Sequence, residues 1–139
     1  MITKTYFTNV ENAKLIEPKS DLALISISPL DNPTILPFEK EWEERLLILH
    51  FYDIDKYVED QFGLFDKNYA IKIIEFLERI NKSDHEITVI VNCVSGVSRS
   101  GAVSKFIDHK YKLNCFDREY VKYNKYVYQV LIETNEKVK

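Results

Sequence analysis

Apolar and polar positions divide the chain into alternating buried and amphipathic stretches. Asp21-Leu-Ala-Leu-Ile-Ser-Ile27 reads as a short buried strand, stopped by the turn-rich Ser28-Pro-Leu-Asp-Asn-Pro33. A short charged helical turn is predicted over Glu39–Glu44, with Trp42 packing it against the domain. Arg45-Leu-Leu-Ile-Leu-His-Phe51 is a second buried strand, and its continuous apolar run suits a parallel sheet covered on both faces. From Asn68 to Asn81, Ala70, Ile71, Ile74, Phe76, Leu77 and Ile80 recur mostly at three- and four-residue spacing, the pattern of an amphipathic helix. Glu86-Ile-Thr-Val-Ile-Val-Asn92 is a third strand, rich in β-branched residues. A helix over about Ser98–Tyr111 follows, and Asp117 reads as the N-cap of a last helix running to about Asn135. Tyr6-Phe-Thr8 is predicted to add an edge strand. Strand and helix in alternation imply one α/β domain over residues 1–139, with a central, mainly parallel sheet of about four to five strands flanked by helices.

Composition narrows the class of protein. At 139 residues there is room for one ordinary domain, and no repeat, low-complexity tract or linker divides it. The net charge of −3 argues against non-specific nucleic-acid binding, which rests on Lys and Arg neutralising phosphates. No run reaches the ~20 apolar residues of a membrane span, and the first residues lack the apolar core of a signal peptide. Two cysteines in such a chain point to free thiols in a reducing cytoplasm.

The informative stretch is Val89-Ile-Val-Asn-Cys-Val-Ser-Gly-Val-Ser-Arg-Ser-Gly101. A buried strand ends at Asn92, Cys93 follows, and Arg99 opens a helix after five residues. Ligands of open α/β sheets bind at the carboxyl ends of the strands, where this loop falls. A helix N-terminus offers unpaired N–H groups and partial positive charge, and a short loop entering it can turn further amides inward. Gly96 and Gly101 supply backbone freedom, while Ser95 and Ser98 leave room for an oxyanion beside the amides of Val94 and Val97. Arg99 adds a planar fork that matches two phosphate oxygens. In that field the Cys93 thiol should fall from ~8.5 towards or below neutrality and become a nucleophile. Ser100 is placed to donate a hydrogen bond to the sulfur and ease its later departure.

Cys93-Val-Ser-Gly-Val-Ser-Arg-Ser100 resembles the Cys-x5-Arg-Ser/Thr signature loop of the protein tyrosine phosphatase superfamily, in its dual-specificity branch. Gly96-Val-Ser-Arg-Ser-Gly-Ala102 is especially similar to the small members of that branch, and the resemblance extends over about Leu22–Tyr111. It implies a protein tyrosine phosphatase-like fold and a two-step reaction: Cys93 attacks phosphorus, and water hydrolyses the cysteinyl-phosphate. Arg99 and the loop amides would hold the equatorial oxygens, without metal or organic cofactor. The substrate implied is a phosphorylated protein or peptide, acted on by a monomer that binds neither nucleic acid nor membrane. One departure stands out, because Asn92 occupies the place where the family usually has histidine. Asparagine can still hydrogen-bond to backbone, so reduced activity is expected.

The family takes its general acid from a loop after an earlier strand, here His50-Phe51-Tyr52-Asp53-Ile54-Asp55. Asp53, directly after the strand, is the first choice and Asp55 the alternative, ahead of Asp60 and Asp66. Cys115 reads as a small buried apolar side chain rather than a disulfide partner. His50, His85 and His109 share no metal-ligand spacing with the cysteines, so no zinc site is expected; His50 reads as a satisfied strand-end histidine. Tyr120, Tyr123, Tyr126 and Tyr128 read as core packing and amphipathic surface. Two other functions fit parts of the loop. Asn92 supports a phosphate-binding module without turnover, and a rhodanese-like sulfurtransferase also cradles an anion at a helix start. The uncharged residues between Cys93 and Arg99 lower the case for phosphoinositide or RNA 5′-phosphate substrates.

Overall fold

A computed structural model describes residues 1–114, 120 and 122–138. Its elements run β1 (Ile2–Asn9), α1 (Val10–Lys14), β2 (Leu22–Ser28), a 3-10 segment (Glu39–Arg45), β3 (Leu46–His50), α2 (Lys67–Asn81), β4 (Ile87–Cys93), α3 (Arg99–Tyr111) and α4 (Lys125–Lys137). The four strands form one sheet in the order β1-β4-β2-β3. Every pairing is parallel. The expected α/β architecture is therefore present, with a wholly parallel sheet flanked by helices.

Alternation along the strands sorts two faces. Ile25, Ile27, Leu49, Val89 and Val91 point into the main core, where Ile73, Leu77, Phe106 and Leu131 of the helices meet them. Leu24 points the other way and packs with Leu36 and Trp42, the partly buried Leu46 and Ile90 lying against them. Covering both faces explains why Leu22–Ile25 of β2 is an uninterrupted apolar run.

Several boundaries differ from the sequence pattern. The predicted strand Tyr6–Thr8 is the middle of an eight-residue strand at the sheet edge. Its Thr5 is buried, with Thr5 Oγ1 2.9 Å from Ser104 Oγ, so a polar residue serves an interior position. The charged turn is a 3-10 segment interrupted at Glu43, whose φ is 57°. The last helix begins at Lys125, capped by Asn124, later than an N-cap at Asp117 would place it; Asp117 and Cys115 lie outside the described residues. Gly101 sits within α3, away from the loop, so backbone freedom is not its role. It packs beside Tyr123, and a Cβ there would lie 3.5 Å from Tyr123 Cβ, an ordinary contact. No described helix is long and apolar enough to cross a membrane.

Candidate active site

β4 is the inner strand between β1 and β2, and it delivers Cys93 at its carboxyl end. The chain then turns through residues 94–98 and enters α3 at Arg99. Gly96 makes that turn possible. Its φ is 73°, and a Cβ there would lie 2.7 Å from Asn9 Cα and run into the backbone of Thr8 and Asn9. The end of β1 therefore backs the loop, and Val10 N–H donates to the Val94 carbonyl at 3.4 Å.

Cys93 is fully buried, with its Sγ 3.1 Å from Ser100 Oγ. Burial pushes the thiol up. The Ser100 hydroxyl and the backbone amides of Ser100, Gly96 and Val97 pull the other way, and together they hold it below the ordinary thiol range. The cradle inferred from the sequence is thus aimed at the sulfur. Val94, Ser95 and Val97 expose their side chains and contribute to the loop through its backbone. The thiolate absorbance that Cys93→Ser removes is expected to titrate with a midpoint below the ordinary thiol range. Ser100→Ala should move that midpoint upward; an unchanged midpoint would mean the hydroxyl does not stabilise the anion.

Arg99 is only 8% exposed. Its Nη1 donates to the Phe51 carbonyl at 2.7 Å, which fixes the fork against the end of β3. Its Nε is buried and donates to no group among the described residues. No carboxylate pairs with the guanidinium among the described residues. Ser98, at the start of α3, makes no capping bond with its side chain, which turns outward instead.

The outward bond reaches Asp53. Ser98 Oγ donates to Asp53 Oδ1 at 2.8 Å, and Asn124 Nδ2 donates to the same oxygen at 2.8 Å. Of the two carboxylates left open by sequence, Asp53 is the one brought to the loop. Asp55 lines a separate groove with Tyr126, Gln129 and Glu133. Asp66 caps α2, accepting from the amides of Asn68 and Tyr69, and Asp60 occupies a left-handed turn with φ 57°. His50 is satisfied as expected, its Nδ1 2.9 Å from Ser28 Oγ.

Asn92 departs from expectation. Both polar atoms of its amide are buried without a hydrogen-bond partner, so it does not bond to backbone as predicted. Asn124 and the Phe51 carbonyl were not singled out from the sequence. Asn124 carried a cap signal, a short polar residue just before the apolar spacing of Val127 and Leu131. Nothing local marked either group as a partner of the loop. Among the described residues no group of three or more His, Cys, Asp or Glu side chains is arranged to hold a metal. Searches of protein-family profiles and of curated proteins found no match to the chain.

Proposed function

We propose that the protein is a cysteine-dependent phosphomonoesterase of the protein tyrosine phosphatase type, acting on a phosphorylated protein or peptide. Arg99 is the observation that carries this reading. A buried guanidinium with one backbone bond and no carboxylate partner is costly to keep. It becomes favourable when a dianion enters beside it and accepts from its remaining N–H groups.

The Cys93 thiolate attacks phosphorus, and the P–O bond to the leaving group breaks as Asp53 gives that oxygen a proton. Water then attacks the cysteinyl-phosphate and loses a proton to Asp53, and the S–P bond breaks. Ser100 Oγ, 3.1 Å from Sγ, stabilises the departing thiolate. The amides of residues 94–98 and Arg99 hold the equatorial oxygens throughout. All these groups come from one chain, which fits a monomer, and the reduced thiol fits the cytoplasm. The loop side chains carry no charge, which fits a phosphopeptide better than a polyphosphorylated ligand.

A second reading is a phosphate-binding module, favoured by the unpartnered Asn92 amide beside the nucleophile. Hydrolysis of para-nitrophenyl phosphate, with reductant and a metal chelator, separates the two. Turnover is expected, with a phosphorylated Cys93 peptide recovered after acid quench. No turnover at any pH from ~5 to 8 would replace the enzyme by the binding module.

A further inference from the structure

We propose that Asn124 is a positioning residue that holds the acid Asp53 over the phosphate loop, and that a caged Lys105 anchors the segment carrying it. The proposal rests on the phosphatase reading, with Asp53 as the acid.

Asn124 lies 71 residues from Asp53 in sequence, is 2% exposed, and uses every polar group it has. Its Nδ2 donates to Asp53 Oδ1 at 2.8 Å and to the Ile54 carbonyl at 3.1 Å. Its backbone N–H donates to the Ser98 carbonyl at 3.0 Å. Its Oδ1 accepts from Val127 N–H at 3.0 Å and so caps α4. One residue thereby ties together the acid loop, the phosphate loop and the last helix. Asp53 itself sits on an exposed segment without regular structure between β3 and α2. Left untethered, such a segment samples many conformations, and ordering it carries an entropic cost. Both donors fall on Oδ1, which leaves Oδ2 as the oxygen that can carry the proton.

Tyr123, the residue before Asn124, is held in turn. Lys105 Nζ lies 5.5, 5.2 and 5.3 Å from the ring centres of Tyr120, Tyr123 and Tyr128. An ammonium within about 6 Å of a ring centre is attracted to its face, and here three rings share one cation. Gly101, on the same helix, packs beside Tyr123, whose Cα lies 3.7 Å from where a Cβ would stand, an ordinary packing distance. The cage holds Tyr123 against α3, and Asn124 is the next residue.

Cap and tether use different atoms, so they can be separated. Asn124→Asp keeps an oxygen to cap α4 but replaces the Nδ2 donor. The test compares kcat/KM for phenyl phosphate, a poor leaving group that needs an acid, with para-nitrophenyl phosphate, which needs it little. Asn124→Asp is expected to lose about 30-fold or more on phenyl phosphate and less than about 5-fold on the nitrophenyl ester. Added to Asp53→Asn it should change either rate by less than about 2-fold, because both act through one proton. Inhibition by vanadate should stay within about 2-fold of native, and Lys105→Met should show the same leaving-group bias in weaker form. Equal losses on both substrates, full additivity with Asp53→Asn, or no loss at all would overturn the role. Those outcomes require an active native chain. A native chain without Cys93-dependent turnover would instead defeat the phosphatase reading, and this role with it.

Discussion

Serine in place of Cys93 is expected to reduce turnover of para-nitrophenyl phosphate by at least about 10⁴-fold, as loss of a nucleophile does elsewhere. The change is one atom, and the new side chain fits the same buried space. What is lost is the anion. The Ser100 hydroxyl and the amides of Gly96, Val97 and Ser100 hold the thiol below its ordinary range, but an alcohol starts far too high for the same cradle to make it an anion. The loop's grip on phosphate should survive, because Arg99 and the amides are untouched. Inorganic phosphate should therefore still raise the Tm of Cys93→Ser, by mass action on the folded state. Turnover by the mutant within about 10-fold of native would place the nucleophile elsewhere.

Arg99→Lys should be nearly as damaging despite conserving charge, with a loss of about 10³-fold in kcat/KM. The guanidinium divides its work: Nη1 is committed to the Phe51 carbonyl, and Nε remains for a ligand. A lysine has one ammonium on a flexible stem, so it cannot hold the β3 end and also present two parallel N–H groups to phosphate. The stabilisation of Cys93→Ser by phosphate should shrink in the double mutant with Arg99→Lys. An undiminished phosphate shift would show that the loop amides alone bind the anion, and the case built on Arg99 would fall.

How far the sequence foretold this molecule depended on how local each signal was. β2, β4 and α2 were legible because burial wrote a plain period into consecutive residues. The cradle was legible for the same reason, since Cys93, Gly96, Arg99 and Ser100 lie within one turn of chain. β1 was seen only in part, because the buried Thr5 answers to Ser104 on α3 and breaks the apolar pattern. Asp117 offered the same cap chemistry as Asn124, and a cap signal alone does not choose between two candidates before one apolar run. Gly101 was read as loop freedom, whereas its neighbour Tyr123 comes from a distant segment. The bonds from Asn124 to Asp53 and from Arg99 to Phe51 span 71 and 48 residues. Contacts at such separation leave no trace in local spacing.

The strand order also sets when the site can come into being. β1 and β2 do not pair with each other; both pair with β4, so that Ile2 lies opposite Ile87. During synthesis β1 must wait for a partner made some 85 residues later, while β2 and β3 can only form an isolated pair. Such long-range closure is slow compared with local pairing. Cys93 is the last residue of the strand that completes the sheet, and the amides that lower its thiol belong to the loop and the first turn of the helix that follow. A nascent chain therefore carries an ordinary thiol until closure, and the lowering of that thiol is a product of folding itself.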